Sequence, residues 1–153
     1  MCLICDRIKS IKDGVNPYFV KELKTGYVVI GDHQHFRGYT LFLYKRHETE
    51  LFHLDAEERG LFMQEMISVA EAASRAFDAQ KMNYELLGNG DAHLHWHLFP
   101  RRTGDLGEYG TNGNGPVWWY PREKFYDDRN RPTQKDLDEM RAALLNELSR
   151  PHS

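Results

Sequence analysis

The stretch DAHLHWHLFP, residues 91–100, sets His93, His95 and His97 two positions apart, with Leu94, Trp96 and Leu98 between them. Side chains on a β-strand alternate between faces. A strand here turns the three imidazoles to one side and the apolar trio to the other, which packs on a core. Histidine is not a favoured filler for an exposed strand, where lysine, threonine or glutamate would serve, so the row points to chemistry. Two chemistries could use it. Neutral imidazoles bind catalytic metal ions, which gives a metal-dependent β-strand enzyme. That reading asks for a nearby carboxylate, yet the next acid is Asp105, beyond Arg101, Arg102 and a glycine-containing turn. Two guanidinium groups are also poor neighbours for a dication. Alternatively, one imidazole attacks phosphorus, since its pKa of about 6.5 leaves it a competent nucleophile at neutral pH. The arginines then offset phosphate charge. The second reading fits the residues better and centres on His95, the only member with an imidazole on both sides.

These residues need elements to position them. Phe19–Leu23 and Tyr27–Ile30 read as a hairpin across Lys24-Thr25-Gly26. Tyr39–Tyr44, rich in aromatic and branched residues, reads as a third strand. Asp55, with Glu58 three residues on, marks a helix start. Phe62, Met66, Val69, Ala70, Ala73 and Phe77 follow at helical spacing as a core stripe. Residues 83–89 form a fourth strand and the histidine stretch a fifth. A last helix begins near Thr133, with Leu137, Met140, Leu144 and Leu148 on one face. The expected fold is α+β: an antiparallel sheet of about five strands, a long helix after the third strand and a C-terminal helix.

The 153 residues predict a single domain, 1–153, with an irregular glycine- and tryptophan-rich segment at 103–132. A net charge of -3 argues against a general nucleic-acid binder. No apolar run approaches the ~18 residues of a membrane span and no signal peptide is visible, so the expected compartment is the cytoplasm. Two cysteines, Cys2 and Cys5, make no disulfide framework.

HLHWHLF matches the alternating His-apolar signature of the histidine triad family of nucleotide hydrolases and transferases. CLICDRI near the start resembles the family's Cys-x-x-Cys opening, and GYTLFLYKRHETELFHL its strand ending in a basic-basic-His turn. The resemblance implies that His95 attacks the α-phosphorus of a nucleotide and forms a nucleotidyl-histidine, which water then hydrolyses. It implies that His97 hydrogen-bonds the phosphate or the leaving oxygen, beside a neighbouring His93. The expected substrate is a dinucleoside polyphosphate or a nucleoside phosphoramidate, and the expected assembly a homodimer. A nucleotidyltransferase and a non-catalytic nucleotide sensor are the alternatives. No catalytic metal is expected.

Cys2-x-x-Cys5 has zinc-knuckle spacing. The resemblance implies that His47, from KRH, and His93 complete a structural zinc site, with His53 as an alternative ligand. A redox dithiol usually sits at a helix start after a strand, and no such start is read at residues 2–5. Two unpaired buried thiols are the remaining possibility. Tyr39 stands where many members carry a histidine, with His35 as a candidate to compensate. GNGDA replaces the usual glycine-glutamine approach to the triad. Asn89 is the expected phosphate hydrogen-bond donor there, ahead of Asp91. Arg101 is a candidate phosphate contact by alternation, and Arg102 a weaker one. An apolar slot for the base is expected near Phe19, Val20 and Ile30. The segment 103–132 exceeds the ~12–15 residues beyond which structureless loops become uncommon. It is expected either to close over the leaving half of the substrate or to dock on a second subunit, unless Trp118 and Trp119 simply cap the core.

Overall fold

The computed structural model describes residues 1–151. Five strands, β1 (Phe19–Glu22), β2 (Gly26–Ile30), β3 (Thr40–Tyr44), β4 (Lys81–Glu85) and β5 (His95–Arg101), form one antiparallel sheet in the order β1-β2-β3-β5-β4. Four helices accompany it: α1 (Leu3–Lys12), α2 (Ala56–Ala76), α3 (Arg122–Phe125) and α4 (Gln134–Leu148). The α+β arrangement of strands and helices is the one expected. No helix among the described residues is long and apolar enough to cross a membrane.

Every residue of β2 and β3 is buried, because the sheet is covered on both faces. On one side Val28, Ile30, Phe42, Tyr44, Trp96 and Leu98 pack under α2 and α4. On the other, Tyr27, Val29, Leu41, Leu43 and Phe99 meet Ile4 and Ile8 of α1 together with Leu106, Val117 and Phe125. Continuous apolar runs are what two-sided burial demands of central strands. Asp55 caps α2 by accepting from the Glu58 N–H at 2.9 Å. The Glu58 carboxylate does not return the favour and pairs with Arg46.

Three expectations need correction. The N-terminal stretch is helical: Cys2 caps α1, its sulfur accepting from the Cys5 N–H at 3.4 Å, so the pair does sit at a helix start. The fourth strand ends at Glu85 rather than at residue 89. Past it the chain turns at Gly88, whose φ of 80° favours glycine. Finally, 103–132 is not wholly irregular, since it contains α3 and several single turns of 3-10 helix.

Candidate active site

The site grows out of β5. His95 and His97 lie on it, and His93 sits just before it, beside the 44–48 turn. Alternation holds: Leu94, Trp96 and Leu98 enter the core under α2, while the imidazoles face the other way. That second face is not open. His93 is fully buried and His95 is 7% exposed.

His95 Nδ1–H donates to the His93 carbonyl at 2.6 Å. A carbonyl can only accept, so Nδ1 carries a proton, and in the neutral ring the lone pair is then on Nε2. His97 Nδ1 lies 2.6 Å from the Tyr39 hydroxyl. Burial pushes the Tyr39 phenol far above its ordinary range, so it keeps its proton. In the tautomer that accepts this proton at Nδ1, His97 keeps Nε2–H as a donor. Burial, then the nearby His95 ring, lowers His97 from 6.5 to about 4, so it is neutral at pH 7. Tyr39 is placed by stacking on Phe99 with ring centroids 4.2 Å apart. A Cβ on Gly31 would meet the Tyr39 ring at 2.3 Å, so glycine is required there.

His95 and His97 line a cavity of about 560 Å³. Asn89 and Asp91 reach it from the turn after β4, and Trp118 and Arg122 from the long segment. Glu85 lines it too, because the β4–β5 register sets it opposite His97, and burial raises its carboxyl above the usual range. Sequence reasoning missed Glu85 and Arg122. Register could have located Glu85; nothing local marks Arg122.

His93 turns its ring elsewhere. Its Nε2–H donates to the Tyr44 carbonyl at 2.7 Å, which aims Nδ1 at the thiols, 3.6 Å from Cys2 Sγ and 3.5 Å from Cys5 Sγ. His47 Nδ1 lies 3.4 Å from Cys5 Sγ. The four ligand atoms fall within 4.8 Å of one another. Tetrahedral zinc with bonds of about 2.3 Å to sulfur and 2.0–2.1 Å to nitrogen has S–N edges of about 3.6 Å. The donor set therefore fits the ion, and a carbonyl orients one ligand ring as such sites require. His53 stands apart, 3.8 Å from the Glu48 carboxylate. The three histidines do not converge on one point, because the first belongs to the cysteine cluster.

Other nominated residues are placed elsewhere. Arg101 does lie on the histidine side of β5, but its guanidinium is held by Asp105 at 2.7 and 2.8 Å and by Asn83 at 2.7 Å, and it does not line the histidine cavity. Arg102 donates to the Arg37 and Phe77 carbonyls. His35 donates to the Asp105 carbonyl and stacks at 4.0 Å on Tyr120, a cavity-lining ring, without lining the cavity itself. Val20 and Ile30 are core, and Phe19 packs at the edge of the second cluster. Trp118 and Trp119 are 71% and 41% exposed, so they do not cap the core; Val117 and Phe125 do.

A five-stranded antiparallel sheet with histidines on and just before β5, the strand beside edge strand β4, defines a class of folds that solved structures share. A histidine triad protein from Bradyrhizobium japonicum superposes with a TM-score of 0.69 at 22% identity, over 85% of this chain and 89% of that one. A Zn-bound histidine triad family protein from Mycobacterium smegmatis gives 0.58 at 22% identity, over 95% and 94%. A HIT family protein from Bacillus anthracis gives 0.55 at 25% identity, over 95% of each chain. No curated protein sequence matches. A family model described as the HIT domain matches residues 19–104, more than half of the chain. The chain belongs to this family of nucleotide-binding hydrolases and transferases.

Proposed function

We propose that the chain hydrolyses the bond at the α-phosphorus of a nucleoside phosphate substrate, a dinucleoside polyphosphate or a nucleoside phosphoramidate, through a nucleotidyl intermediate on His95. The observation that carries this reading is the Nδ1–H bond from His95 to the His93 carbonyl, which frees Nε2 beside a cavity of about 560 Å³. Nε2 forms a bond to phosphorus as the bond to the leaving group breaks, and the bonding pair departs with that group. His97 Nε2–H donates a hydrogen bond to a phosphate oxygen. Water then attacks phosphorus, the P–N pair returns to Nε2, the water proton passes to solvent, and the nucleoside monophosphate leaves. Two easier displacements replace one. Asn89 supplies a further neutral donor to the phosphate.

Cys2, Cys5, His47 and His93 hold a structural zinc ion in this reading. The four-atom cluster supports it, as does the Zn-bound relative from Mycobacterium smegmatis. The ion, when bound, ties the start of α1 to the histidine strand.

The experiment is a His95→Asn variant assayed with an adenylated substrate carrying an α-phosphorus label. Loss of turnover by at least about a thousandfold is expected, with loss of an acid-labile, base-stable protein adduct. Cleavage at the wild-type rate would end the proposal.

A further inference from the structure

Of the chain's twelve arginines, all among the described residues, eleven donate a side-chain hydrogen bond within the structure. The Arg122 side chain makes neither a hydrogen bond nor an ion pair; its guanidinium only rests 5.5 Å from the Tyr126 ring centroid. It is also the one lysine or arginine lining the cavity that holds His95 and His97. The other charged lining residues are Glu85 and Asp91, which by themselves repel an anion. Arg122 is exposed, but its backbone is held in place, because α3 is anchored three residues on. There Phe125 packs against Phe36, Tyr39 and Phe99 with ring centroids 5.9–6.3 Å apart.

We infer that Arg122 is a subsite for the phosphate beyond the α-phosphate, which selects leaving groups that are themselves phosphates over neutral amines. The inference rests on reading the cavity as a nucleotide site and adds which leaving half that site accepts. A guanidinium binds phosphate oxygens through paired N–H donors, and one already free of carboxylates has no partner to give up. The leaving group's chemistry agrees. An amine must take up a proton as it departs, and the neutral His97 holds none to spare at pH 7. A phosphate departs as a stable anion beside a cation. Arg122 lies outside the residues 19–104 matched by the family model, so the preference belongs to this chain's long segment.

Calorimetry with two non-reacting ligands, adenosine monophosphate and α,β-methylene adenosine diphosphate, tests it on wild type, Arg122→Ala and Arg122→Lys. The alanine variant is expected to weaken the diphosphate analogue about tenfold, the low end for an exposed charge-assisted contact. The monophosphate should move by less than about twofold, and lysine should restore part of the loss. Equal weakening of both ligands, or none for the analogue, overturns the subsite while leaving the cavity's nucleotide role intact. A wild-type chain that binds neither ligand overturns the nucleotide reading and the subsite with it.

Discussion

His97 shows how much a single half-buried imidazole controls. The unfolded chain takes up a proton there near pH 6.5, whereas the folded chain resists until about 4, because burial and the His95 ring disfavour the charge. The unfolded state therefore binds more protons between these values, and stability falls as pH drops through the window. The shift corresponds to about 3 kcal/mol, present above pH 6.5 and gone below 4. Denaturant unfolding at pH 7, 5.5 and 4 should show wild type losing about 3 kcal/mol more than His97→Gln; parallel losses would mean His97 is not held neutral. The candidate site residues were legible as types and spacing, but their states were not. The His95 tautomer is set by a main-chain oxygen, and the partner of His97 is Tyr39, 58 residues earlier. Tyr39 could be seen to depart from the family pattern, but not where its hydroxyl goes.

At the scale of elements, the strands and the two long helices were readable because alternation and helical spacing are local. The N-terminal helix was not legible although Ile4, Ile8 and Ile11 carry its periodicity, since the stripe is short and begins inside the Cys-x-x-Cys pattern. Its anchor is the same cluster: Cys2 caps α1 and Cys5 sits in its first turn. Cys5→Ser should remove about one zinc per chain, measured by metal analysis. It should also lower Tm by about 10 °C, the effect of about 3 kcal/mol in a chain of this size. A chelator should lower wild type similarly and leave the variant unmoved. Unchanged metal content and Tm would refute the site.

Across the whole molecule, the sheet is covered by helices on one face and by α1 and the 103–126 excursion on the other. The excursion is fastened where it leaves β5, by the buried Arg101–Asp105 pair at 2.7 Å. Sequence placed Arg101 on the correct side of the strand but could not foresee a partner that only a turn brings back. Arg101→Ala strands a largely buried carboxylate and should cost about 3–5 kcal/mol, read by denaturant unfolding, with nucleotide affinity in the folded fraction unchanged. Normal stability with weakened nucleotide binding would instead make Arg101 a phosphate contact. The path of residues 103–132 was illegible for the same reason: its glycines permit many courses, and distant pairings choose one. His93, finally, contributes its ring to the cysteine cluster and its carbonyl to His95. Every amino acid carries that carbonyl, so divergence is free to discard the thiols and the first imidazole together while His95 keeps its proton on the same nitrogen.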